Sequence, residues 1–160
     1  MKRFIPGCSA HLTDYDNLQS NRAWSSWVRA AYQELSKRGE GKDALQYLSR
    51  IVEAKEAERS EHSGRNLDKL IGVELAAREC LAIEYSSQHR GQEALQMLDH
   101  CESLLGAHVD AVSPGFLARD WGEISKLSFE LGFPFAALRR AGCGLTIDPE
   151  SAGLARLSQN

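Results

Sequence analysis

The chain has 160 residues, 42% hydrophobic and 26% charged, the length and composition of one folded domain with a sizeable core. A formal net charge of −3, with no concentrated basic run, argues against a nucleic-acid binder driven by global charge. No apolar run approaches the roughly 18–20 residues that a membrane-spanning helix needs.

Residues 1–19 hold Pro6, Gly7, Asp14, Asp16 and Asn17 among scattered apolar positions, and read as an irregular leader. Lys2 and Arg3 precede Phe4-Ile5, but Pro6-Gly7 cuts that run short of a signal-peptide core, so a cytoplasmic location is expected. Cys8, Cys80, Cys101 and Cys143 are widely spread with no CxxC, and are expected to be small buried hydrophobes rather than ligands.

Ser20 or Asn21 is the N-cap expected for the first firm helix. Trp24, Trp27, Val28, Ala31 and Leu35 share one helical stripe, and Gly39 offers the left-handed residue that ends the helix. A second helix from about Lys42 carries the stripe Ala44, Leu45, Leu48, Ile51 and Val52. Its opposite, solvent-facing side is expected to hold Asp43, Gln46, Arg50 and Glu53. Residues 59–65 read as a linker, and 53–59 as a solvated, charge-mixed helix end.

From Asn66 or Leu67 to about Gln88 runs a helix apolar almost all round, expected to be buried on several sides. Glu74 and Arg78 sit at i,i+4 in its narrow polar strip and are expected to pair. The next helix covers about 92–105 and ends at Gly106. Ser113-Pro114 then supplies an N-cap and a first helical position. A helix over about 115–131 follows, with Leu117, Trp121, Ile124, Ser128 and Leu131 on one stripe. Gly132 closes it, and a last long helix runs from about Pro134 to Ile147. Asp148-Pro149 ends that helix ahead of a short capping segment over 150–160.

One stretch occurs twice. Gly41-Lys42-Asp43-Ala44-Leu45-Gln46-Tyr47-Leu48 returns 50 residues later as Gly91-Gln92-Glu93-Ala94-Leu95-Gln96-Met97-Leu98, with a weaker echo at Ala136-Ala137-Leu138. Such spacing is the signature of stacked helical units that bury one face and present another. The expected fold is all-α: about three antiparallel helix hairpins in a stack over residues 20–149.

These residues resemble the tetratricopeptide repeats. The third unit carries the motif best, at Trp121, Ile124, Gly132, Ala137, Leu145, Asp148 and Pro149. The second matches at Leu81, Ala82, Tyr85, Ala94 and Leu98, and the first at Gly39, Ala44 and Leu48. Ser125, Ser128 and Gly144 depart from the family pattern. The long intervals are similar to the helical-repeat region of LuxR-family regulators of the MalT type. The chain carries no GxxxxGK[ST], so regulator activity is not carried over whole. The resemblance implies a tetratricopeptide-like α-solenoid with a concave face made by the first helix of each hairpin.

No P-loop, GxGxxG, GxSxG or HExxH occurs, so no enzyme activity and no cofactor are expected. His100-Cys101 and His108 are the nearest approach to a metal-ligand group, but neighbouring helical positions diverge by about 100°; no metal site is expected. Arg139-Arg140 after Leu131-Gly132-Phe133 suggests a recognition helix, yet Ala136, Ala137, Ala141 and Gly142 offer no base-reading groups. A nucleic-acid partner is therefore not expected.

Mapped onto the carboxylate clamp of peptide-binding tetratricopeptide proteins, Arg29 and Gln33 fall on the first two places, but Ala76 and Cys80 replace the polar groups of the next unit. Capture of a peptide carboxy-terminus is not expected. The resemblance instead implies a groove lined by Arg29, Gln33, Glu79, Ile83, Arg119 and Lys126, which receives a protein or peptide segment without catalysing a reaction. Three rivals stand beside this reading: a ligand-sensing regulatory module, a small secretion-type chaperone, and a homodimer packed through Trp24 or Trp27.

Overall fold

The computed structural model describes residues 21–61, 67–109 and 114–147, together with Pro149 and Arg156. The described residues form six helices and no strand. They are α1 (Asn21–Lys37), α2 (Gly41–Glu61), α3 (Leu67–Ser87), α4 (Gly91–Ala107), α5 (Pro114–Glu130) and α6 (Pro134–Ile147). The leader over 1–19, Ser113 and the segment 150–160, apart from Arg156, lie outside the described residues, as does the side chain of Trp24. The linker expected over 59–65 gives way at its start to helix, because α2 continues through Glu61. No described helix is long and apolar enough to cross a membrane.

The joints between helices explain why the sequence repeats. Gly39, His89 and Gly132 each adopt a left-handed backbone, with φ of 72°, 60° and 93°. At each joint, that residue's amide donates to the carbonyl three residues back, and the next amide donates to the carbonyl five back. The pairs are Gly39 to Ser36 and Glu40 to Leu35 (both 3.0 Å), His89 to Ser86 (3.0 Å) and Arg90 to Tyr85 (2.8 Å), and Gly132 to Phe129 (3.1 Å) and Phe133 to Ser128 (2.8 Å). This double bond satisfies carbonyls that a helix end leaves without partners.

The same last residue then opens the next helix with its carbonyl. Ala44 donates to Glu40, Ala94 to Arg90 and Ala137 to Phe133, at 2.9, 3.1 and 3.0 Å. Each of these alanines is buried where the two helices meet, at 0%, 0% and 3% exposure, so a larger side chain there has no space to enter. The repeated motif is thus a joint of fixed hydrogen bonds followed by a small buried residue.

His89 holds the left-handed position that glycine takes in the other two joints. An L-residue pays roughly 1–2 kcal/mol for that backbone. Beside it, the Arg90 guanidinium lies 4.6 Å from the Tyr85 ring centroid and reaches Glu93 at 3.2 Å.

α3 is the centre of the molecule. Every residue from Leu70 to Ala82 is buried, which matches its nearly continuous apolar sequence. One side of α3 packs through Val73, Ala77 and Leu81 on Val28 and Leu35 of α1 and on Leu48 and Ile51 of α2. The other packs through Ile71 and Leu75 on Leu105 of α4 and on Leu117, Trp121 and Ile124 of α5. Each large aliphatic side chain so buried stabilises the fold by about 1.5–3 kcal/mol. Trp27 is partly buried against the first of these clusters. On α2 the stripe falls inward at Ala44, Leu48, Ile51 and Val52, while Asp43, Gln46, Arg50 and Glu53 are exposed.

Candidate functional site

The helix α3 is enclosed, yet Glu74, Arg78, Glu79 and Glu84 on it are almost fully buried. Three of them, Glu74, Arg78 and Glu79, anchor two ionic clusters on different sides of the helix.

The first lies against α2 and α4. Glu74, 1% exposed, accepts from Arg78 Nε at 3.0 Å, so the expected i,i+4 pair is present. It also accepts from Arg59 Nε of α2 at 3.1 Å. Arg78 donates further to Glu56 of α2 and to His100 Nδ1 of α4, the latter at 2.9 Å. Arginine is only a donor, so Nδ1 is the accepting nitrogen and a neutral His100 carries its proton on Nε2. The charge-mixed end of α2 is therefore not simply a solvated face. Glu56 and Arg59 turn toward α3, and Lys55 is 0% exposed with Nζ 2.8 Å from Glu58. An open cavity of about 280 Å³ is lined by Glu56, Arg59, Glu74, Arg78, His100 and Ser103, with Leu104 and Ala107.

The second cluster lies between α1, α3 and α5. Arg29 of α1 donates through Nη2 to Glu79 of α3 at 2.6 Å and to Glu123 of α5 at 3.5 Å. That bridge links side chains of the three helices. Glu79 is 2% exposed and Asp120 is 5% exposed. Asp120 has Arg119 Nε at 3.9 Å, beyond hydrogen-bond reach. Glu79 Oε1, Asp120 Oδ2 and the Trp121 indole nitrogen are buried without a hydrogen-bond partner. A buried polar group left so costs about 1–3 kcal/mol, more when charged.

The electrostatics follow from that environment. Burial pushes the Glu79 carboxyl up to about 7, against the pull of the Arg29 guanidinium. Burial likewise pushes Asp120 up to about 7, with the negative charges of Glu123 and Glu79 adding to the rise. Both carboxyls thus hold a proton much of the time near neutral pH. The neighbouring thiols are inert. Burial lifts Cys80 to about 12 and Cys101 well above the ordinary thiol value, so neither supplies a thiolate.

The six groove residues inferred from sequence all fall on α1, α3 and α5, but in different settings. Arg29 and Glu79 are brought together in the second cluster. Gln33 is exposed one turn further along α1, and Ile83 is half-buried one turn beyond Glu79. Arg119 is exposed beside Asp120, and Lys126 is exposed 3.9 Å from Glu130. Glu79 is covered rather than presented: Arg29 lies on Oε2, and Oε1 is buried without a partner. Asp120 and Glu123 were not inferred from the sequence. The signal for Asp120 is an acid next to Trp121, beside the stripe of Leu117, Trp121 and Ile124.

Arg139 is exposed and donates to Glu102 at 2.7 Å, whereas Arg140 has a structural role. Arg140 is 0% exposed and donates to Ser128 Oγ of α5 at 2.5 Å and to Asp99 and Glu102 of α4 at 2.6 and 3.2 Å. A side chain so enclosed cannot reach a base edge. It also accounts for Ser128, a departure from the family pattern, and Ser125 donates to the Ala137 carbonyl at 2.6 Å across the α5–α6 joint. Among the described residues, no group of three or more His, Cys, Asp and Glu is placed to hold a metal ion.

No family model matches the chain, and no curated protein or solved structure matches it significantly.

Proposed function

We propose that the chain is a tetratricopeptide-like stack of three helix hairpins, α1–α2, α3–α4 and α5–α6, which binds a peptide or protein segment along the face of α1, α3 and α5. On this reading it is non-enzymatic and is related to the helical-repeat region of MalT-type regulators. The observation that carries the proposal is the Arg29 bridge to Glu79 and Glu123, which draws the first helix of each hairpin to one side. The three matching joints support the hairpin arrangement. Gln33, Ile83, Arg119 and Lys126 then flank a polar centre on a rigid support, which lowers the ordering cost of binding.

The test places a photo-crosslinking residue at Gln33 or Lys126, and separately at Gln46 or Arg50 on the exposed side of α2, in the native cell. The expected result is one protein crosslinked from the first two positions and not from the others. Equal capture from both faces, or capture from neither, overturns the reading.

A second reading, a ligand-sensing module, is favoured by the charged cavity beside Arg78 and His100. A small molecule taken up there would raise the melting temperature in proportion to the logarithm of its concentration. Alanine in place of Arg59 should abolish that rise.

A further inference from the structure

Three carboxylates meet on the proposed binding face, and the cations that serve them do not satisfy them. Arg29 fills Glu79 Oε2 at 2.6 Å and leaves Oε1 empty-handed. Arg119 stands too far from Asp120 for a hydrogen bond, and Asp120 Oδ2 has no donor. Both orphaned oxygens belong to carboxyl groups that are more than nine-tenths buried, and both groups lie within electrostatic range of Glu123. What is missing is therefore a donor. Arg29 already demonstrates the kind of donor the cluster accepts, a guanidinium laid across Glu79 and Glu123 from a neighbouring helix.

We infer that the partner segment inserts an arginine or lysine side chain between Glu79 and Asp120, where its N–H groups satisfy the two unpartnered oxygens. This rests on the groove reading above and names the chemistry of the occupant. The incoming cation displaces part of the Arg29 contact, and Glu123, 46% exposed, receives the guanidinium that is moved aside. A cation seated there draws both carboxyls back toward their ordinary values, so binding releases protons. The charged and titratable groups around Glu79 and Asp120 are Arg29 of α1, Cys80 of α3, Cys101 of α4, and Arg119 and Glu123 of α5. The two thiols stay neutral throughout the range in question, which leaves the carboxyls as the source of the protons.

The probe is a short acetylated, amidated alanine peptide with one central arginine, compared with its twin carrying citrulline, a neutral isostere. Binding to the full chain is followed by the indole N–H resonance of Trp121 and by calorimetry in two buffers of different ionisation enthalpy. The expected result is saturable binding of the arginine peptide alone, with proton release. Its affinity should fall about tenfold for each carboxyl between pH 8 and pH 6. Glu79→Gln and Asp120→Asn should each weaken it, and the second variant leaves the Arg29–Glu79 contact in place should the first not fold.

Equal binding of both peptides, or binding that ignores pH and both substitutions, overturns the inference while leaving the groove reading to its own crosslinking test. Failure of the arginine peptide to bind at all overturns it too. Spermidine binding as tightly as the peptide overturns the assignment to a peptide side chain.

Discussion

The two sides of α3 solve the same problem in opposite ways. Against α2 and α4, Glu74 and Arg78 are almost fully buried, and each has its hydrogen bonds met by Arg59, Glu56 or His100. Against α1 and α5, Glu79 and Asp120 are buried as deeply, yet each keeps an oxygen without a donor. A charge taken out of water is tolerated when its partners are complete and is costly when they are not. The first side is consequently a brace between helices. The second holds an unmet demand, which is why it is the better candidate for binding.

The largest effect that separates the two sides should come from Arg78→Leu. Removing that guanidinium leaves the buried Glu74 with Arg59 alone, and breaking a buried pair costs about 3–5 kcal/mol. Urea denaturation of the variant should show a loss in that range. A loss smaller than that of Glu79→Gln at neutral pH would reverse the assignment of brace and site.

Next in size is the pH dependence of stability. Glu79 and Asp120 titrate near 7 in the fold, against ordinary values of 4.5 and 3.8. Between those limits the folded chain holds protons that the unfolded chain has released. Their contribution is complete below about pH 4 and is lost as the pH rises through 7, with a combined magnitude of a few kcal/mol. The double variant Glu79→Gln/Asp120→Asn no longer titrates there. Its stability relative to the parent should therefore improve by most of that amount from pH 5 to pH 8. A difference that stays flat over this range would mean that both carboxyls are ionised in the fold.

A change in the joint after α3 should move both sides together. His89→Gly removes the cost of a left-handed L-residue but loosens the unfolded chain, for a net gain of about 0.5–1 kcal/mol. The melting temperature should rise by a few degrees. A drop would show that the His89 side chain matters to the joint.

The smallest effect belongs to Glu123→Gln. Its contact with Arg29 is long, at 3.5 Å, and nearly half-exposed on both partners. Such pairs contribute about 0–1 kcal/mol. Stability at neutral pH should hardly move, and a loss above that range would mean that Glu123 is part of the support of the face rather than its rim.

The helices were legible because their punctuation is local. Gly39, Gly132 and Pro114 mark ends and starts by what their own backbones can and cannot do, and the apolar sequence of α3 announces its burial. His89 was not legible by composition, since nothing in a histidine signals positive φ. Its position 50 residues after Gly39 is the clue. The site was legible only in outline. Sequence placed Arg29 and Glu79 on neighbouring first helices, but Asp120 is buried within reach of the charge of Glu79, some 40 residues earlier in the chain. Lys55 and Arg140 were hidden for the same reason: a charged residue reads as solvated until its partners on another helix are known.

The three joints have a consequence for how such a chain can change in length. Each closes one helix with the amide of a residue and opens the next with that residue's carbonyl, at Glu40, Arg90 and Phe133 alike. A duplication or deletion whose ends fall at two of these residues leaves every turn hydrogen bond with an equivalent donor and acceptor. The unit of inheritance suggested by this geometry runs from one such residue to the next. It cuts across the proposed hairpins, taking α2 with α3 and α4 with α5.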